Sequence, residues 1–139
     1  MTPADLADLH KRCFTTPRPW SATEFEAFLR DPHVLILGDA TAFALGRVIA
    51  DEAELLTIAV APEQRRKGLA RRLLADFEQA ASGHGALTCF LEVAAGNAPA
   101  IALYRGAKYT QTGRRRGYYR LAEGATEDAL ILSRRLDGR

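Results

Sequence analysis

Cysteine is scarce in this chain, with Cys13 and Cys89 the only two among 139 residues. They are too few and too far apart for a disulfide framework or a metal knuckle, and no metal is expected. Cys89 lies in the run Leu87-Thr88-Cys89-Phe90-Leu91 and reads as a small buried hydrophobe. No stretch approaches the ~20 apolar residues that cross a bilayer, which argues against a membrane partner. The start, Met1-Thr2-Pro3-Ala4-Asp5-Leu6, has neither the basic residues nor the apolar run of a secretion signal, so a reducing, cytoplasmic location is expected. Charge of one sign is also lacking: 19 Lys and Arg face 17 Asp and Glu, a net of +2 that exerts little general pull on nucleic acid. His10, His33 and His84 are scattered and read as surface or capping residues. No repeat, linker or low-complexity tract interrupts a length typical of one domain, taken as residues 1–139.

What is present is a periodic alternation of helix and strand signals. Leu6, Leu9, Cys13 and Phe14 keep helical spacing, predicting a helix over 3–14. Ser21 and Glu24 form a capping box for a second helix carrying Phe25, Phe28 and Leu29, ended by Pro32. Extended segments are expected at 34–38, 41–50 and 53–60, joined at Gly38-Asp39 and Asp51-Glu52 as an antiparallel meander. Leu69, Leu73, Leu74, Phe77 and Ala81 give a third helix over 68–81. An apolar strand follows from Ala86 to Ala94, then a short helix near 98–105 capped by Asn97, then strands near 109–116 and 127–134. Strand, helix, strand across 53–94 implies a right-handed parallel crossover, hence a mixed α/β sheet with helices on its faces.

One stretch concentrates charge: Arg65-Arg66-Lys67-Gly68-Leu69-Ala70-Arg71-Arg72, at the junction of a strand and a helix. A helix N-terminus supplies unpaired amides and the positive end of its dipole, so this arrangement suits a phosphate. Gly68 permits close approach to the backbone and Ala70 keeps the next turn narrow. A solvated basic turn would look similar, and the pattern alone is weak. Its setting adds weight: a lone Glu92 in the following apolar strand, then Asn97 and Tyr104 at opposite ends of one short helix.

Together, Thr57 through Pro62, the Arg65–Ala70 loop, Phe90-Leu91-Glu92-Val93 and Asn97 through Ala102-Leu103-Tyr104 resemble the signature of the GCN5-related N-acetyltransferase (GNAT) superfamily. Pro19-Trp20-Ser21, Arg115-Arg116-Gly117-Tyr118-Tyr119 and Glu127-Asp128-Ala129 are similar to its RimI-type branch, which acetylates the N-terminal alanine of a small-subunit ribosomal protein. The resemblance covers residues 14–133. It implies a mostly antiparallel sheet with one parallel, splayed strand pair, and acetyl-CoA as cosubstrate. Its pyrophosphate would meet Arg65, Arg66, Lys67, Gly68, Leu69, Ala70 and Arg71. Ile58, Ala59 and Val60 would lend backbone groups to the pantetheine, with a bulge near Val60 whose amide polarises the thioester carbonyl, and Asn97 would bond the same arm. The resemblance assigns Glu92 as general base and Tyr104 as acid to the departing thiolate.

Proton affinities limit those roles. An α-amine, with a pKa of ~7.7–8.0, is neutralised more easily than a lysine near 10.4. An ordinary glutamate would take the ammonium proton uphill by about 5 kcal/mol, so Glu92 needs burial or a relaying water. A phenol near 10 protonates a thiolate reluctantly, and hydrogen-bond stabilisation describes Tyr104 better. Glu54 is the second candidate base. Trp20, Tyr118 and Tyr119 are candidates for an acceptor groove, with Trp20 equally readable as a core anchor. Glu52, Glu123, Glu127 and Asp128 are possible partners for a basic acceptor, while Arg114–Arg116 read as solvated. Two departures from the family pattern stand out. The first strand is expected to be missing or shortened, and Lys108 replaces the usual glycine before Tyr109, so that Gly106 could end the helix one turn tighter. A lysine or small-amine acceptor remains open beside the N-terminal one, as does a non-catalytic basic RNA-binding module.

Overall fold

The computed structural model describes residues 1–15 and 18–137. Two helices come first, α1 (Pro3–Cys13) and α2 (Ala22–Arg30), each opened by a capping box. Thr2 caps α1 with Asp5, a pairing that sequence reading passed over. Ser21 caps α2 with Glu24 as expected, and Arg18 grips Glu24 at 2.8 and 3.0 Å. That grip, with the cap amide of Ser21, lowers the Glu24 carboxyl to about 2.

Strands β1 (Val34–Asp39), β2 (Ala42–Ile49) and β3 (Glu52–Val60) form the predicted meander. A 3-10 turn at Pro62–Gln64 leads to α3 (Leu69–Gly83), and β4 (Thr88–Ala94), α4 (Ala98–Gly106), β5 (Thr110–Arg120) and β6 (Thr126–Arg135) follow. The sheet order is β1-β2-β3-β4-β6-β5, with β3–β4 its one parallel pair. Among the described residues no strand precedes α1.

Two apolar clusters sandwich the sheet. On one face Leu73, Leu74, Phe77 and Ala81 of α3 bury against Leu55, Leu91 and Leu132, with Tyr104 and Tyr109 in the same cluster. On the other, Leu6, Leu9 and Phe25 of the first two helices cover Phe43, Leu45 and Ala59. Each large side chain so buried contributes about 1.5–3 kcal/mol. Cys89 is fully buried on the first face, and burial pushes its thiol up to about 11.

The irregularity that shapes the molecule lies in mid-β3, not near Val60. Residues Thr57 to Val60 pair without a break against Leu45 to Ala42, but the register shifts between Leu45 and Gly46, leaving Leu56 as the extra residue. Leu56 and Thr57 consequently fall on the same face, the one α1 and α2 cover, and Ile58 and Val60 turn to the other. A bulge adds twist and bends the strand that carries it. Pairing between β3 and β4 stops at Leu55↔Leu91, one residue before the bulge. Opposite, Gly46 admits the Phe77 ring: a Cβ there would lie 2.4 Å from Phe77 Cζ and 2.5 Å from the Glu54 carbonyl oxygen.

The end of α4 differs from the tighter turn expected. Helix geometry runs to Gly106, the amides of Ala107, Lys108 and Tyr109 bond back into the last turn, and Lys108 itself takes the left-handed conformation at φ 73°. The lysine thus fills a glycine-type C′ position, and Tyr104 keeps its place. β5 runs past its predicted end to Arg120 but leaves the ladder between Arg115 and Tyr119. The excursion is tied by Asp128, which accepts from the Gly117 amide at 2.8 Å and from Arg114 Nε at 2.6 Å.

Candidate active site

Where β3 and β4 part, a cleft of about 670 Å³ opens through the sheet. Because the gap interrupts the sheet, it joins the two faces. Arg65, Ala70, Asn97 and Tyr104 line it from the α3–α4 side, and His10, Trp20, Tyr118 and Tyr119 from the other. Glu92 lines it too, projecting from β4, and Ile58 and Val60 from β3. Ten of the sixteen residues assigned above to the cofactor, to catalysis by the resemblance or to the aromatic groove therefore meet in one cavity, as does Glu54. The others are placed as follows: Ala59 is buried under α1 and α2, Leu69 packs on the α3-side core, and Arg66, Lys67, Gly68 and Arg71 are exposed beside the cleft.

At the α3 N-terminus the backbone is shaped by two left-handed residues, Arg66 at φ 64° and Gly68 at φ 74°. The first helical bond runs from the Arg72 amide to the Gly68 carbonyl, leaving the amides of Leu69, Ala70 and Arg71 without helical partners. Arg65 Nε donates to the Val60 carbonyl, Lys67 bonds Gln64, and Arg71 reaches the Gly106 carbonyl at 3.4 Å. Among the described residues, no carboxylate forms an ion pair with Arg65, Arg66, Lys67, Arg71 or Arg72, although eight other arginines are so paired. Cations left unpaired around free amides can take an anionic group with several oxygens. The Asn97 side-chain oxygen, Oδ1, accepts from the Ala100 amide at 3.2 Å and caps α4, and Asn97 lines the cleft.

Tyr104 is 8% exposed, and burial pushes its phenol well above the ordinary tyrosine range. Among the described residues every buried side-chain polar atom has a hydrogen-bond partner. The Tyr104 hydroxyl has none, so it reaches the cleft. Burial keeps it in its proton-bearing form.

Of the two conditions set for Glu92, burial or a relaying water, full burial is not met. Its face of β4 is turned toward the cleft and β5, its side chain keeps 21% exposure, and Arg115 Nε stands 3.2 Å from Oε1. Glu54, on β3, is likewise paired, with Arg47 at 3.0 Å. Arg115 also lies over the Tyr118 ring, 5.2 Å from its centroid. Tyr119 sits edge-on to Tyr118, and burial, with Glu92 nearby, pushes its phenol up to about 12.

Other expectations on the acceptor side change. Arg114 and Arg115 are not simply solvated, since Asp128 and Glu92 hold them. Asp128 is engaged by its β5 clamp, and Glu127 accepts from the Gly96 amide at 2.6 Å, bracing the β4–α4 turn. Glu52 begins β3, paired with Thr88 at the end away from the splay. The carboxylates that do line the cleft are Glu54 and Glu92.

The largest revision concerns His10, which is 1% exposed rather than on the surface. The Trp20 amide donates to Nδ1 at 3.0 Å, and Nε2 lies 3.0 Å from Thr57 Oγ1. Its ring stacks on Phe14 and Trp20. Trp20 is accordingly both an anchor and a wall of the cleft. A histidine inside an apolar helical stripe, next to Leu9, was the available signal.

The Acetyltransferase (GNAT) family model matches residues 4–109. The chain belongs to the GNAT family and is an N-acetyltransferase that takes its acetyl group from acetyl-CoA. Among its relatives, the ribosomal protein bS18-alanine N-acetyltransferase of Escherichia coli is 38% identical over 119 residues, covering 83% of this chain and 80% of that one. The N-alpha-acetyltransferase RimI of Mycobacterium tuberculosis is 34% identical over 125 residues, with 84% and 77% covered. A crystal structure of the Escherichia coli ribosomal-protein-S18-alanine N-acetyltransferase superposes with a TM-score of 0.85 at 33% identity, covering 96% of this chain and 87% of that one.

Proposed function

We propose that this enzyme acetylates the α-amine of a protein N-terminus, and that its acceptor is the N-terminal alanine of a small-subunit ribosomal protein. The observation that carries the reading is the gap between β3 and β4, which connects an unpaired cation and amide cluster on one face with an aromatic-walled groove on the other. The donor's diphosphate occupies the amides after Gly68, flanked by Arg66, Lys67 and Arg71. Its pantetheine arm runs along Ile58 and Val60, where β3 has lost its β4 partner, and meets the Asn97 amide. The acceptor enters from the side of Trp20, Tyr118 and Tyr119. The likeness to enzymes named for bS18 alanine supports the choice of acceptor.

Both substrates are held together, and the attacking nitrogen must be neutral. Glu92, partly exposed and paired with Arg115, accepts the ammonium proton through a water rather than from inside an apolar pocket. The neutral amine attacks the thioester carbonyl, the C–S bond breaks, and the proton that the nitrogen then sheds passes to the departing sulfur, which Tyr104 hydrogen-bonds. Juxtaposition supplies much of the rate.

The test incubates the protein and acetyl-CoA with two peptides of one ribosomal sequence, one with a free N-terminal alanine and one with that terminus blocked and a lysine kept. Acetylation of the free peptide alone is expected. Modification of the blocked peptide at lysine, with none at the free terminus, overturns the acceptor.

A further inference from the structure

We infer that His10 is a positioning residue for the acceptor: through its two ring nitrogens it locks the segment carrying Trp20 onto β3 just beyond the bulge, and so fixes the wall against which the acceptor docks. This rests on the reading that the acceptor enters beside Trp20.

The tautomer follows from the bonds. A backbone amide can only donate, so the Trp20 N–H requires a lone pair on Nδ1. The ring proton therefore sits on Nε2 and is donated to Thr57 Oγ1. Thr57 is available because the bulge at Leu56 turns it toward α1; without the extra residue its side chain would point to the opposite face. One imidazole thus ties together α1, the stretch leading into α2, and the strand that borders the gap. Its ring is sandwiched between Phe14 at 4.5 Å and Trp20 at 4.8 Å, with Phe25 edge-on at 5.5 Å. His10, Thr57 and Trp20 all line the cleft, so movement of the lock moves the wall. A purely packing role would need an apolar ring here and neither hydrogen bond. Two satisfied nitrogens on one buried ring define direction as well as volume.

Variants separate the two bonds. His10→Phe keeps a ring and loses both; His10→Asn keeps an acceptor at the Nδ1 position; His10→Gln keeps a donor at the Nε2 position. Trp20 is the sole tryptophan, so its emission and its quenching by acrylamide report the wall directly, without any turnover. For His10→Phe, a rise of about tenfold in KM for the free-alanine peptide is expected, with kcat and the acetyl-CoA KM within about twofold. The Trp20 quenching constant should at least double. His10→Asn should restore both readouts most of the way, and His10→Gln less. Unchanged peptide KM and quenching in His10→Phe would overturn the lock, as would equal losses in all three variants in step with their melting temperatures. Were the wild-type enzyme to leave the peptide unmodified, the assigned acceptor would fail, and the quenching series in the three folded variants would still decide the lock.

Discussion

At the scale of single residues, the proposed chemistry depends on where protons are held. Tyr104 is buried and its phenol displaced upward, which keeps its proton in place for the donor role proposed for it. Tyr104→Phe should lower kcat by about 10²-fold with little change in acetyl-CoA KM, as loss of one preorganised donor does. Glu92→Gln should lower kcat/KM by about 10²–10⁴-fold while the melting temperature holds, because glutamine keeps the size and shape of the partly exposed side chain. Steady-state kinetics beside a melting curve checks both; equal loss of stability would make these residues structural. His10 gives a pH signature. Desolvation lowers its pKa from 6.5 to about 4, so the unfolded chain binds the proton first as pH falls. The neutral ring's contribution is fully present above pH 6.5 and is lost progressively toward pH 4, about 3 kcal/mol in all. Glu24, the charged neighbour that opposes this shift, is gripped by Arg18 and titrates near 2, below that window. Urea unfolding at pH 7 and pH 4.5 should therefore show a steeper loss in the wild type than in His10→Phe. Parallel loss in both would contradict the assignment.

At the scale of elements, helices and strands were legible because their periods are strong, and what escaped was set by contacts between elements. The capping box at Ser21, the stripe from Leu69 to Ala81 and the apolar β4 all announce themselves locally. The bulge at Leu56 does not: its signals are Gly46 on the neighbouring strand and Phe77 on α3, far apart in sequence. Gly46→Ala would drive a methyl into Phe77 and the Glu54 carbonyl, and should cost about 1–3 kcal/mol by chemical denaturation. A neutral outcome would mean that β2 can shift away from α3. Lys108 was visible as a departure from glycine, but its conformation was not. Because it holds φ 73° at a helix end, Lys108→Gly should stabilise the protein by up to about 1 kcal/mol. Destabilisation would show that the lysine side chain does more than tolerate the turn.

At the scale of the whole molecule, the candidate site was readable residue by residue but not as a passage. Sequence placed Glu92, Asn97 and Tyr104 in one neighbourhood, and their common cavity agrees. It could not show that the cleft joins two faces, because that depends on where β3 and β4 stop pairing. Nor could it show that Arg115 stands on Glu92, since β6 intervenes between β4 and β5. The cations from Arg65 to Arg72 were conspicuous in both views. Among the described residues they lack carboxylate partners while eight other arginines are paired, which makes an anion the natural complement. The most direct measurement is a crystal structure of the protein with coenzyme A. The account predicts the diphosphate on the amides of Leu69, Ala70 and Arg71, the pantetheine lying along Ile58 and Val60, and the sulfur near the Tyr104 hydroxyl. Coenzyme A bound elsewhere, with the gap beyond Leu55 and Leu91 closed by side chains, would contradict it.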